Sequence, residues 1–270
     1  MTNDWTRRYL HLLNIDYQAP SSSALDAIAR NHRKVLFENV SSLLRRSRHG
    51  SGPVPPIDTD SLLSEWEQGT SGGLCFSVAA MLARLLPLLG YDAAPIAGQI
   101  TFPGSHQAVM VHLDGRRYLV DAGNGAPFFE AIPVDETFEV ARAGLSFRFH
   151  LDGRSDVLVQ DRLIHEQWQR FSEYELRAAS QQERDLAYQR HHRPGEGWVV
   201  GSLRLVRCLE DEVLQLAAHE FTRYTQAGKH SEEVYGVRRY RELVADAFGA
   251  PHLPIEAGVR AWSELTGEKV

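Results

Sequence analysis

The spacing of apolar residues predicts helices over the first ninety residues. Two helical faces lie near the N-terminus, formed by Trp5, Tyr9, Leu12 and Leu13 and then by Leu25, Ile28, His32 and Leu36. The segment 51–56, Ser-Gly-Pro-Val-Pro-Pro, interrupts this pattern because proline lacks the N–H that a helix interior needs. Asp60 or Ser61 then caps a further helix. The last helix of this part begins near Cys75 and ends at Gly90.

From about residue 93 to residue 175 the apolar residues alternate with a period of two. Asp114-Gly115 and Asp152-Gly153 separate four of these runs, and Asp-Gly is a strong signal for a hairpin turn. Several antiparallel strands in succession predict a small barrel or an open sheet. Beyond them, the pattern predicts a helix over 182–190, strands around 198–209 and 213–217, and a helix over 231–248.

Together these elements predict an α+β protein. The expected order is a helical bundle at residues 1–92, an antiparallel β-barrel or sheet at 93–190, and a C-terminal α/β segment at 191–270.

The composition of 270 residues, with 43% hydrophobic and 24% charged, is typical of a soluble globular protein. A net charge of −6 argues against a general nucleic-acid binder, which needs a basic face that neutralises several phosphates. The basic run Arg45-Arg46-Ser47-Arg48-His49 is interpreted as a solvated loop, because a Gly/Ser/Pro-rich segment follows it. The composition leaves the oligomeric state open.

The chain contains no segment typical of export or membrane insertion. Residues 1–8 lack the apolar core of a signal peptide, and the longest apolar stretch, 78–89, is interrupted by Arg84 and Pro87. Two cysteines, Cys75 and Cys208, do not suggest a disulfide framework. A cytoplasmic protein that does not bind membranes is therefore expected.

Cys75 lies where a cysteine can act as a nucleophile. It follows Gly72-Gly73-Leu74 and begins an apolar helix, whose dipole and free N–H groups stabilise a thiolate. His106 and Asp121 follow along the chain, so the three suggest a Cys-His-Asp triad in which the histidine is the base and the acid fixes its tautomer. His112 is a rival base.

Each of these residues also has a structural interpretation. Cys75 could be a small buried apolar residue, His106 a loop histidine, and Asp121 the cap of the turn before Gly123. The glycine pair and the later motifs favour function for Cys75. The apolar run before Asp121 indicates burial, and a buried carboxylate needs a partner.

Three segments resemble the arylamine N-acetyltransferase family. Phe37-Glu38-Asn39 resembles the Phe-Glu-Asn that ends the second helix of that family, and residues 72–76 resemble its Gly-Gly-x-Cys-Phe segment. Residues 120–125, Val-Asp-Ala-Gly-Asn-Gly, resemble its Val-Asp-x-Gly-Phe-Gly segment. The likeness extends from the N-terminus to about residue 135, with a loose likeness in hydrophobic pattern beyond residue 165.

The resemblance implies a papain-like thiol-enzyme core with a C-terminal lid and an acyltransfer reaction. Acetyl-CoA or another acyl-CoA would be the donor, a small-molecule amine or hydroxylamine the acceptor, and no metal would be needed. The implied catalytic residues are Cys75, His106 and Asp121. The implied substrate-binding residues are Phe37, Gly73, Asn124, Gly125 and Phe128.

Four positions differ from the family pattern: Ser71, Ser77, Ala79 and Asn124. Without the arginine usual at position 71, the charge of Glu38 is expected to be solvated or paired with another cation. Asn124 in place of phenylalanine weakens the case for a flat arylamine. The alternatives are an amide synthase that acts on a carrier-bound acyl thioester, a papain-like hydrolase, and a non-catalytic relative that binds a small molecule.

Other motifs carry weaker signals. Gly123-Asn124-Gly125 lacks the third glycine and the βαβ unit of a dinucleotide site, and is interpreted as a place where a ligand approaches the backbone. His191-His192 is the densest histidine cluster, but no His-Glu-x-x-His motif occurs, so a metal site is not expected. Cys208 is expected to be a buried strand residue.

Overall fold

Helices come first along the chain, then an eight-stranded sheet, and then a five-stranded sheet with two further helices. The computed structural model describes residues 3–270, with the backbone alone for residues 154 and 155, so Met1 and Thr2 of the segment 1–8 lie outside the described residues. The helices are α1 (Asp4–Leu13), α2 (Ser22–Asn31), α3 (Val40–His49), α4 (Thr59–Gln68), α5 (Cys75–Leu88), α6 (Gln181–His191), α7 (Val237–Asp246) and α8 (Ile255–Thr266).

The strands form two sheets. They are β1 (Phe37–Glu38), β2 (Asp92–Gln99), β3 (His106–Leu113), β4 (Arg116–Val120), β5 (Ile132–Pro133), β6 (Phe138–Arg142), β7 (Leu145–Asp152), β8 (Arg154–Ile164), β9 (Gln167–Ala178), β10 (Arg204–Cys208), β11 (Glu212–Ala217), β12 (Glu220–Thr225) and β13 (Gly228–Glu233). The predicted α+β class is confirmed. The division into three units at 92/93 and 190/191 stays a prediction.

The helix α5 is the centre of the N-terminal half. Its buried residues, such as Met81 and Leu85, pack into one core with α1, α2 and α4 and with the β3 residues Val109 and Val111. The apolar face of the bundle therefore continues onto the sheet, and this contact fixes the position of α5 relative to β3.

The larger sheet is antiparallel, in the order β5-β4-β3-β2-β9-β8-β7-β6. The predicted hairpin at Asp114-Gly115 joins β3 to β4, and both turn residues have positive φ, 51° and 74°, as a two-residue type I′ turn requires. Within the described residues no pairing joins β5 to β6, so the sheet is barrel-like but has two edges.

The smaller sheet has the order β1-β10-β11-β12-β13, so its first strand comes from the N-terminal half. Phe37 is opposite Val206, and the Asn39 side chain donates to the carbonyls of Val199 and Ser202 and accepts from the N–H of Arg204 at 2.7 Å. This buried amide connects the start of α3 to the C-terminal sheet.

Three local expectations are wrong. The basic run at 45–49 is not a loop but the second half of α3, because Val40, Leu43 and Arg46 form one buried helical face. Residues 231–233 are not helical but belong to the exposed strand β13, whose pairing with β12 overrides the local pattern, and α7 starts only at Val237. Phe37–Glu38 form β1 rather than the end of a helix, since α2 stops at Asn31.

Candidate active site

The segment before Cys75 runs parallel to β1 and forms an isolated β-bridge with it, between Gly73 and Phe37. The Gly73 N–H donates to the Leu36 carbonyl at 3.0 Å, and the Glu38 N–H donates to the Gly73 carbonyl at 3.3 Å. A Cβ on Gly72 would lie 2.0 Å from the Leu36 oxygen, so only glycine allows this approach. The two glycines therefore serve the placement of the nucleophile segment.

The side chain of Glu38 binds the backbone of this segment. Its buried carboxylate accepts from the N–H of Gly72 at 2.9 Å, and from the N–H and hydroxyl of Ser41 in the first turn of α3. Burial raises the pKa of Glu38, while these hydrogen bonds oppose the rise. The expectation of a solvent or cation partner is wrong, because backbone N–H groups and a hydroxyl stabilise the carboxylate instead.

Cys75 is the first residue of α5. Leu74 precedes it as the N-cap and has no side chain that could accept from the first-turn N–H groups. These donors and the positive end of the helix dipole therefore remain available to an anion at this point. Cys75 is 7% exposed and packs with Val54, Phe76 and Tyr188.

His106 and Asp121 meet because of the strand register. Val109 of β3 is opposite Val120 of β4, so Asp121 follows opposite Ala108, and His106 lies two residues further along the same face. The Nε2 atom of His106 lies 2.8 Å and 3.0 Å from the two carboxylate oxygens of Asp121. The rival His112 is exposed, 3.8 Å from Asp92.

The charge on His106 is decided by its surroundings. Burial alone would lower the pKa of His106, but interaction with the carboxylate of Asp121 and with Cys75 raises it to about 10. Since Nε2 faces Asp121, Nδ1 is the ring nitrogen left to face Cys75. The geometry suits an imidazolium held between an anionic sulfur and a carboxylate.

Asp121 has two further donors that the sequence did not predict. Asn124 Nδ2 lies 2.8 Å and the Tyr174 hydroxyl 2.7 Å from the same carboxylate oxygen, Oδ2. Burial and the charge of Asp121 raise the pKa of Tyr174 well above its usual value, so the hydroxyl stays a donor. The ring of Tyr174 can lie edge-on to His106 because Gly98 stands between them on β2, without a Cβ to block the contact.

Gly123 brings the loop after Asp121 against the nucleophile. A Cβ at this position would lie 2.7 Å from the Cα of Cys75 and 3.1 Å from the Cβ of Val78. The space at this glycine is therefore taken by the backbone of Cys75, which corrects the expectation that it admits a ligand.

The predicted substrate-binding residues fall in four places. Phe37 lies against Gly125 and stacks on Trp198, with ring centroids 6.3 Å apart, so these residues form one wall beside the loop of Asp121. Gly73 lies in the nucleophile segment, and Phe128 is buried against Phe147 and Phe149. Asn124 directs its amide to Asp121. The role of Trp198 beside Phe37 was missed because the two residues are far apart in the chain, and the strand expected around 198–209 begins only at Arg204.

The other chemical candidates have structural partners. His191 bonds the Ser105 carbonyl, and His192 bonds the Tyr188 carbonyl within its own helix. Cys208 lies on β10, and burial raises its pKa to about 12.

Within residues 3–270, no three His, Cys, Asp or Glu side chains are grouped to hold a metal ion. Over the same residues no helix is both long and apolar enough to cross a bilayer.

We expect the alkylation rate of Cys75 to be nearly constant between about pH 7 and pH 9. An ordinary thiol, with a pKa of about 8.5, reacts about 25-fold faster at pH 9 than at pH 7, because only the thiolate is reactive. Below its pKa of about 10, His106 keeps the positive charge that stabilises a thiolate, and above it that charge is lost. Iodoacetamide labelling followed by peptide mass spectrometry measures this rate separately from Cys208. A rise of about 25-fold between pH 7 and pH 9, as for an ordinary thiol, would contradict the predicted ion pair.

Comparison with known proteins gives consistent matches. A family model described as N-acetyltransferase matches residues 23–251. An arylamine N-acetyltransferase from Mycolicibacterium smegmatis is 27% identical over 148 residues, 48% of this chain and 52% of that protein. A proansamycin X synthase from Amycolatopsis mediterranei is 29% identical over 132 residues, 46% of this chain and 50% of that protein. The chain thus spans about half the length of the curated relatives it matches.

Solved structures match over nearly the whole chain. The arylamine N-acetyltransferase from Salmonella typhimurium has a TM-score of 0.81 at 19% identity, covering 98% of this chain and 99% of that one. The Mycobacterium marinum arylamine N-acetyltransferase in complex with CoA has a TM-score of 0.82 at 19% identity, covering 98% and 100%. At this identity the likeness establishes the fold.

Proposed function

Because this chain belongs to the N-acetyltransferase family, we propose that it transfers an acetyl or other short acyl group from coenzyme A to an amine or hydroxylamine. Cys75, His106 and Asp121 act as nucleophile, base and acid, and the acyl group passes through a thioester on Cys75. The observation that carries the proposal is the buried pair of His106 and Asp121, 2.8 Å apart, beside Cys75 at the start of α5.

In the first step the Cys75 thiolate attacks the thioester carbonyl of the acyl-CoA. The carbonyl oxygen becomes an oxyanion, and the N–H groups in the first turn of α5, which no side chain caps, are donors that can stabilise it. When the tetrahedral intermediate collapses, the bond to the CoA sulfur breaks, and His106 supplies the proton that makes CoA a neutral thiol. The products are acyl-Cys75 and free CoA.

In the second step an amine attacks the acyl-cysteine. His106, now neutral, accepts the amine proton, and the Cys75 thiolate leaves as the new amide forms. The carboxylate of Asp121 stabilises the returning imidazolium and keeps Nδ1 directed at the sulfur. Water must be excluded between the steps, and the burial of Cys75 and His106 supports this requirement.

One observation on the acceptor side favours a second candidate function. Asn124 stands where the family motif has phenylalanine, and its amide is used to bind Asp121, so this position adds no aromatic face for a ring. The similarity to a proansamycin X synthase points the same way. The second candidate is an amide synthase with the same three residues, acting on a carrier-bound acyl thioester.

Intact-protein mass spectrometry tests the proposal. The protein is exposed briefly to acetyl-, propionyl- and malonyl-CoA, and in parallel to the acetyl thioester of N-acetylcysteamine, which mimics the end of a carrier arm. We expect one acyl adduct and release of free CoA from the wild type and from Cys208→Ala, and none from Cys75→Ala. Aromatic amines, aliphatic amines and hydroxylamine are then compared as acceptors of the preformed adduct.

The outcomes separate the candidates. An adduct from the cysteamine thioester alone favours the amide synthase. Loss of the adduct to water faster than to any amine identifies a hydrolase. No adduct with any donor overturns the acyltransferase proposal and favours a binding protein.

A further inference from the structure

His191, the last residue of α6, contacts the neighbours of two proposed catalytic residues. Its ring is 2% exposed, and Nε2 lies 2.5 Å from the carbonyl oxygen of Ser105, the residue before His106. On the other side, its ring centroid lies 5.0 Å from that of Phe76, the residue after Cys75, in an edge-to-face contact. One buried imidazole therefore contacts the nucleophile segment and the base segment at once.

The chemistry of the ring fixes its role as a donor. Burial lowers the pKa of His191 to about 4, so the ring is neutral at physiological pH and carries a single N–H. The acceptor at Nε2 is a carbonyl, so the proton is on Nε2. The other nitrogen, Nδ1, is buried and has no hydrogen-bond partner within the described part of the chain. The bond to Ser105 is therefore the polar contact that this side chain makes.

The Ser105 turn is also held by hydrogen bonds to the side chain of Ser105. Its hydroxyl oxygen accepts from the N–H groups of Ile100, Thr101 and Phe102 at 2.9, 3.0 and 3.2 Å. On the α6 side, the amide of Gln189 exchanges two hydrogen bonds with the backbone of Val54, at 2.9 and 2.7 Å. His191 thus links the hydrogen-bonded Ser105 turn to α6, a helix that is itself hydrogen-bonded to the backbone of Val54.

We propose that His191 is a positioning residue that sets the distance between Cys75 and His106, by holding the Ser105 carbonyl and the Phe76 ring on one side chain. This inference rests on the proposed function. Its physical basis is that a displacement of about 1 Å between reacting groups costs about 100-fold in rate. Loss of the N–H donor leaves the buried Ser105 carbonyl unpaired, which favours movement of the strand entry that carries His106.

Two substitutions at His191 and one control test the proposal. His191→Phe keeps the aromatic contact and removes the donor, whereas His191→Gln places an amide N–H near the position of Nε2. His192→Phe is the control, since His192 is equally buried but bonds Tyr188 in its own helix. Each variant is compared in single-turnover acylation by acetyl-CoA, in the pH profile of Cys75 alkylation, and in thermal unfolding.

We expect His191→Phe to acylate about 10- to 100-fold more slowly than the wild type. We also expect its alkylation rate to become pH-dependent between about pH 7 and pH 9. His191→Gln should recover most of the rate, and His192→Phe should stay within about threefold of the wild type with a flat profile. A purely structural role would lower the unfolding temperature without changing the pH profile.

The inference is overturned if His191→Phe keeps the wild-type rate and profile, or if His191→Gln is as slow as His191→Phe. It is also overturned if His192→Phe has the same effects as His191→Phe. Absence of an acyl adduct in the wild type with every donor is a different result, because it overturns the proposed function. In that case the alkylation profile still measures whether His191 couples Cys75 to His106.

Discussion

Replacement of Asp121 by asparagine is expected to slow the acylation of Cys75 by about 10⁴-fold, the size of effect known for loss of the acid in a catalytic triad. The reason is the balance of forces on His106. Burial disfavours its positive charge, and Asp121 and Cys75 restore it. With a neutral amide at position 121, burial is opposed by Cys75 alone, so the imidazolium, and with it the thiolate, is no longer favoured at neutral pH.

Single-turnover kinetics and the alkylation profile both measure this effect. Asp135→Asn is the matched control, because Asp135 bonds Arg117 on the neighbouring strand at the surface. Asn124→Leu is an intermediate variant that removes one of the three donors to Asp121 and keeps the charge. A loss of less than about tenfold in Asp121→Asn would show that Asp121 does not act on His106 as proposed.

Gly123→Ala is expected to reduce acylation by more than about 100-fold, even though no polar group is lost. The added Cβ would lie 2.7 Å from the Cα of Cys75 and 3.1 Å from the Cβ of Val78, and neither atom is the end of a flexible side chain that could move away. Either the loop with Asp121 or the start of α5 must shift. Both shifts separate the acid from the nucleophile.

Gly201→Ala provides the comparison for this substitution. A Cβ at Gly201 makes an ordinary contact at 3.5 Å, and its φ is not positive. We expect Gly201→Ala to retain wild-type acylation and unfolding temperature. If Gly123→Ala acylated at the wild-type rate, the loop after Asp121 could move without changing the positions of Asp121 and Cys75, and the prediction would be wrong.

The sequence predicted those parts of the structure that depend on local pattern. The helical spacing around α1 and α5, the period-two runs of β3 and β4, and the Asp-Gly turn were sufficient for the α+β class. The nucleophile segment was recognisable because its glycines, cysteine and helix start are adjacent in the chain. The geometry of His106 and Asp121 followed from antiparallel pairing that the hairpin between them imposes.

Other features could not be predicted because they depend on contacts between distant segments. Tyr174 donates to Asp121 across 53 residues, and nothing local distinguishes it from any strand tyrosine. The solvation of Glu38 by Gly72 and Ser41 requires knowing that β1 and residues 72–73 lie side by side. The strand β13 is exposed along its length, so no apolar period marks it.

The tripeptide 37–39 belongs to two parts of the molecule at once. Glu38 bonds the loop before Cys75, while Asn39 bonds the backbone around Arg204 and β1 pairs with β10. If C-terminal halves are exchanged between relatives to alter the acceptor, residues 37–39 should therefore be exchanged together with the C-terminal half. A chimera with its junction between α3 and β10 combines Asn39 from one parent with β10 from the other, and the mismatch would reach the loop before Cys75 through Glu38.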